Sequence, residues 1–270
     1  MAKLRDLRGR FAVVTGASSG LGRGLARALA ARGAQVALVA RREDRLEALA
    51  GEIATEGGRA LALPCDVANP EEIIEAAGRV HREFERIDLL VNAAGYARHI
   101  LFKDQSPEEA EHMMAVNYFG AERWIRAVLP GMRERRQGWI VNLSSFAGRL
   151  GQPDEASYAA TKFALTGLSE SLAMELAPLG IHVMVVHPVL VRTEMFDEET
   201  LSRMPTTTAR AFIEVEEFCE TVLAALARGA FEVTVPRRFG LVYLVRLLFP
   251  GLLRRQTAAI RLPILPDFDR

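Results

Sequence analysis

The sequence predicts an α/β fold, a doubly wound parallel sheet of about seven strands with helices on both faces. Three observations lead there. From Phe11 to Val186, short β-branched, apolar runs alternate strictly with longer helical patterns, the order in which strand–helix–strand units build a parallel sheet covered on both sides. The first run, Phe11-Ala-Val-Val-Thr15, ends in the glycine-rich stretch Gly16-Ala-Ser-Ser-Gly20-Leu-Gly22, which opens a helical pattern through Arg32. No linker, repeat or low-complexity segment interrupts the 270 residues, so one domain is expected over 1–236, with 237–270 as its apolar, basic extension.

Composition narrows the functional classes. Half the residues are apolar and a quarter charged, enough for a sizeable core. The formal net charge is zero, so the chain as a whole carries no footprint for nucleic acid. Cys65 and Cys219 lie far apart, which predicts neither a disulfide framework nor a zinc site and fits a reducing compartment. The five histidines show no metal-ligand spacing. The first ten residues contain no apolar h-region, so no signal peptide is expected, and the protein reads as cytoplasmic, at most peripheral to a membrane.

The elements follow in order. Strand, glycine-rich turn and helix form the first half of a strand–helix–strand unit; the glycines let backbone approach a pyrophosphate, and the helix N-terminus offers it unpaired N–H groups. Gln35–Ala40 is the second strand. A carboxylate at its end would hold an adenosine ribose 2′-hydroxyl and favour NAD; here the position is Ala40, followed by Arg41 and Arg42, which suit a 2′-phosphate and so NADP(H), with NAD(H) as the alternative. A helix from about Arg42 to Glu56 leads to a third strand, Ala60–Pro64. Asp66 then stands at a strand's carboxyl end, where open sheets bind ligands. Asn69-Pro70 starts a helix to about Arg86, and Ile87–Val91 is the fourth strand. Asn92-Ala93-Ala94-Gly95 follows, small residues against which a cofactor could lie, with Asn92 able to brace neighbouring strand ends. Asp66 and Asn92 read equally well as ordinary turn chemistry.

Ser106-Pro107-Glu108-Glu109 caps a long helix to about Arg136 with Asn117 in its interior, a poor helix residue that is either functional or tolerated. Trp139–Leu143 is the fifth strand and delivers Ser144-Ser145. The next helix carries Tyr158 and Lys162, four residues apart and therefore on one face. A nearby ammonium stabilises phenolate, so Lys162 is expected to pull the Tyr158 pKa below about 10, making Tyr158 a general acid/base with the Ser145 hydroxyl beside it. The sixth strand, Ile181–Val186, precedes His187-Pro188; a helix over Val215–Arg228 and a seventh strand, Phe231–Val235, complete the pattern.

Taken in series, Thr15-Gly16-x-x-x-Gly20-x-Gly22, Asp66, Asn92-Ala93-Ala94-Gly95, Asn117, Ser145, Tyr158-x-x-x-Lys162 and Pro188…Thr193 resemble the short-chain dehydrogenase/reductase family, in its compact single-domain branch with a Rossmann-type sheet. Two positions depart from the family pattern: Ala93 where an asparagine is usual, and Val189 where a glycine follows the proline. The resemblance implies an NADP-dependent oxidoreductase. In it Tyr158 moves the oxygen-bound proton, Ser145 bonds the substrate oxygen, Lys162 tunes the tyrosine and holds the nicotinamide ribose, and Asn117 supports a water-linked proton relay. It implies a cofactor lying along Gly16, Ser18, Ser19, Gly20, Leu21, Gly22, Arg41, Arg42, Asp66, Val67, Asn92, Ala93, Ala94, Gly95, Tyr158, Lys162, Pro188 and Thr193. A homodimer or homotetramer is implied in the same way.

Residues 190–214 are equivalent to the family's substrate lid; Met195, Phe196, Leu201, Met204, Phe212 and Ile213 there read as facing an apolar substrate or as core filling. The tail beyond Pro236 is strongly apolar and basic, with no acid between Glu232 and Asp267. It reads as a wall of the substrate pocket, a subunit contact, or an interfacial helix touching a membrane. Similar tails occur on family members acting on steroids, retinoids or long-chain keto-lipids, so a lipophilic ketone or alcohol is the expected substrate. A 3-oxoacyl-thioester reductase and a non-catalytic NADP-binding regulator are the alternatives.

Overall fold

The computed structural model describes residues 4, 6–194 and 211–259; most of the expected lid, with Met195, Phe196, Leu201 and Met204, lies outside the described residues. Seven parallel strands form one sheet: β1 Phe11–Thr15, β2 Gln35–Ala40, β3 Arg59–Pro64, β4 Leu89–Asn92, β5 Gly138–Leu143, β6 Ile181–Pro188 and β7 Glu232–Val235, in the spatial order β3-β2-β1-β4-β5-β6-β7. The chain moves outward from β1 to β3, then crosses back to β4 on the other side. The reversal leaves a crevice between the carboxyl ends of β1 and β4, where open α/β sheets hold ligands.

Period-two alternation sends each strand's side chains to two separate cores. Ala12 and Val14 pack with Leu25 and Leu29 of α1 (Gly20–Ala30), Leu46, Leu49 and Ile53 of α2 (Glu43–Thr55) and Phe218 further along the chain. Phe11 and Val13 face the other way, onto Ile73 and Val80 of α3 (Pro70–Glu83) and onto Trp124 and Val128 further along the chain. Full burial of each such side chain contributes about 1.5–3 kcal/mol. Helix starts are fixed by the predicted caps: Asn69 Oδ1 accepts from the Glu71 N–H, and Ser106 Oγ from the Glu109 N–H; each such cap stabilises by about 0.5–2 kcal/mol.

One helix differs from the expected form. The run from Pro107 to Glu134 is not uniformly α-helical: α4 (Pro107–Met114) and α5 (Gly120–Glu134) flank a π-helical segment, Ala115–Phe119, with Asn117 buried in it. Such wide turns are frequent at functional sites. The remaining helices are α6 (Ala156–Leu176), α7 (Val215–Arg228), α8 (Leu241–Leu248) and α9 (Pro250–Ala259). The tail is thus a pair of short helices returning over the carboxyl end of the sheet, where Tyr243 stacks on Phe146 at 5.8 Å between ring centres. No described helix is long and apolar enough to cross a membrane.

Candidate active site

A cleft of about 1040 Å³ runs along the carboxyl ends of the strands. Its first end is the glycine loop. Gly16 has φ +68°, and a Cβ on Gly22 would lie 2.3 Å from the Gly16 carbonyl oxygen, so only glycine permits this tight turn. Thr15 Oγ1 accepts from the N–H groups of both Ala93 and Ala94, at 3.0 and 3.1 Å, and so ties the exit of β4 to that of β1. The first turn of α1, opening at Gly20, leaves its N–H groups without helical partners and facing a phosphate-sized space. Arg42 reaches across this end, its guanidinium donating to Ser18 Oγ at 2.9 Å and Ser19 Oγ at 2.8 Å, while Arg41 stands exposed at the rim. Asp66 and Val67 form the facing wall; Asp66 Oδ1 also accepts from the Ala68 N–H, so turn chemistry and cleft wall coincide in this residue. The glycine floor and helix terminus together fit the diphosphate of a dinucleotide, with the Arg42 guanidinium beside them.

The middle of the cleft holds the reactive groups. β5 ends at Leu143 and presents Ser145, whose Oγ accepts from the Ala147 N–H at 3.1 Å and which lies near enough to the Tyr158 phenol to favour its charged form. Ser144 Oγ instead donates to the Lys162 carbonyl at 3.0 Å, a structural role. Tyr158 and Lys162 project from α6 as their spacing requires, both less than a tenth exposed, with Lys162 Nζ 5.7 Å from the tyrosine ring centre. Their protonation differs from the expectation. Burial raises the Tyr158 phenol to about 12, opposed by the Ser145 hydrogen bond and reinforced by the Glu155 carboxylate. Burial lowers the Lys162 ammonium to about 8, and its Nζ donates to the Leu143 carbonyl at 2.9 Å. The phenol thus stands above its ordinary value, not below it as the Tyr158–Lys162 spacing suggested, with desolvation of the charged form as the largest cause.

Gly16, Ser18, Ser19, Gly20, Leu21, Gly22, Arg41, Arg42, Asp66, Val67, Ala93, Ala94, Gly95, Ser145, Tyr158, Lys162, Pro188 and Thr193 all line this one cleft. Asn92 and Asn117 lie behind it. Asn92 faces its register partner on β5, donating to Asn142 Oδ1 at 2.9 Å, the strand bracing its position allowed. The Asn117 amide is engaged with backbone: Oδ1 accepts from the Tyr96 N–H at 3.0 Å, and Nδ2 donates to the Tyr96 carbonyl at 2.9 Å and to Thr161 Oγ1 at 3.1 Å. With both of its donors used, this side chain holds the Gly95–Tyr96 loop against α6.

Beyond Tyr158 the wall is apolar, from Phe146, Leu150, Val189 and Leu190, and is closed by Phe239, Val242 and Leu253 of the tail. Val189 keeps a regular backbone there, donating to the Val235 carbonyl at 2.9 Å, so the departure from the family's proline–glycine pair leaves the strand end ordered. A polar group that the sequence reading missed interrupts this wall: His99, Gln152 and Glu155. His99 Nδ1 lies 3.5 Å from Asp154 Oδ2 and 3.6 Å from Glu155 Oε1. Burial pushes the Glu155 carboxyl up to about 7, and the Asp154 carboxylate holds the His99 imidazole above its usual value. Glu155 stands three residues before Tyr158, one helical turn, so its spacing was an available signal; His99, in an irregular loop, offered none. A second unforeseen network supports Ser145 from behind. His187 Nδ1 lies 2.9 Å from the Ser145 carbonyl and Nε2 3.1 Å from Glu232, which Arg149 grips at 2.7 and 3.1 Å.

A phenol, a hydroxyl and an ammonium converging beside a dinucleotide cradle define an oxidoreductase site of the nicotinamide-dependent α/β class. The short chain dehydrogenase family model matches residues 10–203. A short chain dehydrogenase of Pseudocercospora fijiensis is 38% identical over 70% of this chain, which spans 62% of that protein. Dehydrogenase/reductase SDR family member 7B of Bos taurus is 34% identical over 94% of this chain and 82% of its own length. Among solved structures, a metagenomic short-chain oxidoreductase in complex with NADP superposes with a TM-score of 0.73 at 32% identity, covering 84% of this chain and 96% of that one. The chain belongs to the short-chain dehydrogenase/reductase family, and is with it an NAD(P)-dependent oxidoreductase.

Proposed function

We propose that this protein interconverts a lipophilic ketone and its secondary alcohol with NADP(H) as cofactor. The observation that carries the reading is one continuous cleft with Arg42 on Ser18 and Ser19 at one end, the Ser145–Tyr158–Lys162 group in the middle and an apolar wall beyond. When bound, the nicotinamide supplies or accepts the hydride. The protein's own groups do the rest. Ser145 Oγ holds the substrate oxygen, and Tyr158 Oη gives it a proton in reduction or takes one in oxidation, a contribution of about 10²–10⁴ in rate. Lys162, bonded to the Leu143 carbonyl, holds positive charge beside the phenol and within reach of a ribose. Asn117 fixes the loop against which the nicotinamide end rests. Arg42, held at the glycine loop by Ser18 and Ser19, is placed better than Arg41 to recognise a 2′-phosphate through charge-assisted bonds.

Calorimetry with NADPH and NADH on wild type, Arg41→Ala and Arg42→Ala tests the cofactor half. NADPH should win, and Arg42→Ala should erase most of that advantage; equal or tighter NADH binding by wild type would sink the preference. NADPH oxidation with a panel of small ketones, long-chain keto-lipids and a 3-oxoacyl thioester, beside Tyr158→Phe, tests the chemistry. The apolar ketones should turn over best and Tyr158→Phe should bind cofactor but lose nearly all turnover. Preference for the thioester would replace the substrate class, and wild-type turnover by the variant would remove the proton-transfer assignment.

A further inference from the structure

The tail has two faces with different surroundings. Inward, Val242 and Leu253 line the substrate end of the cleft and Tyr243 stacks on Phe146. Outward, Leu241, Leu244, Leu247, Leu248, Phe249 and Leu252 are each more than half exposed, and they are six of the eleven large apolar side chains exposed among the described residues. Leu241, Leu244 and Leu248 recur at helical spacing, so they form a stripe along α8 that runs on into Phe249 and Leu252. Isolated exposed leucines need no explanation, but a contiguous apolar patch of this kind marks an interaction surface.

Charge says which partner it fits. The helices and the turn before them carry Arg237, Arg238, Arg246, Arg254 and Arg255 and no acid, and none of these arginines pairs with a carboxylate among the described residues. An isologous contact with a second copy would set this patch against itself, arginine facing arginine with no carboxylate from either helix pair to offset the repulsion. An anionic lipid surface matches both properties: leucines enter the acyl boundary while arginines reach the headgroups. The whole chain has zero net charge, so these five unbalanced arginines leave the remainder net acidic and the cationic excess is local to this face.

We propose that the outer face of α8 and α9 docks the protein on an anionic lipid bilayer, with the substrate end of the cleft opening beside the membrane. The docking stands on the exposed face itself. Only the further step, that a lipophilic substrate enters from the bilayer past Val242 and Leu253, rests on the proposed function.

Co-sedimentation of the full chain with vesicles of phosphatidylcholine alone, and of phosphatidylcholine mixed with phosphatidylserine, at low and high salt, tests it. Wild type should partition onto the mixed vesicles, more weakly onto phosphatidylcholine, and less in high salt. Arg254→Gln with Arg255→Gln should weaken partitioning onto the mixed vesicles about 25-fold, about fivefold per arginine, and leave phosphatidylcholine binding nearly unchanged. Leu247→Glu with Leu248→Glu should lose both, while melting temperature and NADPH oxidation with a soluble ketone stay as in wild type. Failure of wild type to bind mixed vesicles at low salt would overturn the proposal. So would a leucine double variant that still binds vesicles but falls to a smaller oligomer in sedimentation velocity, which would assign the face to a second copy. The vesicle readout needs no turnover, so loss of the substrate reading would leave it standing.

Discussion

Glu155 is the side chain whose replacement most directly tests the electrostatics of the cleft. It is nearly buried, only 12% exposed at the side chain, and its carboxyl sits at about 7 in the fold against 4.5 when solvated. For an acid raised by burial, the folded state binds the extra proton, so stability falls as pH rises from about 4.5 to about 7 and stays reduced above. The distance between the two values corresponds to about 3 kcal/mol. Glu155→Gln keeps the shape and removes the ionisation. It also removes one of two carboxylates near His99, whose first partner, Asp154, remains; that loss is worth about 0.5–1 kcal/mol. The variant should therefore be about 2–2.5 kcal/mol more stable than wild type at pH 8, a rise of roughly 4–10 °C in melting temperature for a chain this size, and should match wild type near pH 5. Paired thermal melts across that range read the difference. A gap between the proteins that fails to widen with pH would refute the claim that a desolvated carboxylate stands beside Tyr158.

Two further substitutions probe the groups behind the cleft. Asn117→Ala removes three hydrogen bonds holding the Gly95–Tyr96 loop and should destabilise by about 2–4 kcal/mol; an unchanged melting temperature with lowered turnover would instead point to a direct part in proton transfer. Glu232 is held below its usual carboxylate value, first by its hydrogen bond with His187, so it contributes stability that is present above pH 4.5 and lost as pH falls through its lower folded value. Glu232→Gln should flatten that acid limb in a denaturation series and slow turnover by loosening the Ser145 loop, and an acid limb identical to wild type would remove the network from the account.

What was legible in the sequence follows from what is locally encoded. β1, β2 and α7 occur where β-branched runs and helical periodicity place them, to the residue, because β1 and β2 pack their two faces into the two cores and α7 packs its apolar face into one of them. Cap residues Asn69 and Ser106 act as their types predict. The glycine loop and the Tyr158–Lys162 pair were readable because their spacing is the chemistry. Whether Asn92 and Asn117 face the cleft or the core was not readable: a polar side chain at a strand end or in a helix can turn either way, and only the positions of Asn142 and Tyr96 decide. Arg41 and Arg42 were equivalent on paper, and the serines of a loop more than twenty residues earlier distinguish them. The role of Glu155 was harder to read because it lies in burial beside His99, on a loop distant in sequence.

The protonation states at Tyr158 and Lys162 bear on the direction of the reaction. With the phenol at about 12 and the ammonium at about 8, neutral solution holds a protonated tyrosine beside a largely protonated lysine. That is the form a carbonyl reduction consumes directly, since the phenol is already the proton donor. Oxidation of an alcohol needs the phenolate, and reaching it from about 12 at pH 7 takes about 7 kcal/mol. Reduction should thus run at a level rate through neutral pH, while kcat/KM for oxidation climbs about tenfold per pH unit to about pH 10 or beyond. Pre-steady-state rates in both directions against pH separate the cases. An oxidation profile that levels off near pH 7 would show that in the working complex the charge of Lys162 overcomes the burial of the phenol, restoring the order of effects that spacing alone implied. Glu155→Gln gives an internal control, because removing a carboxylate that raises the phenol should move the oxidation limb to lower pH without altering the reduction plateau.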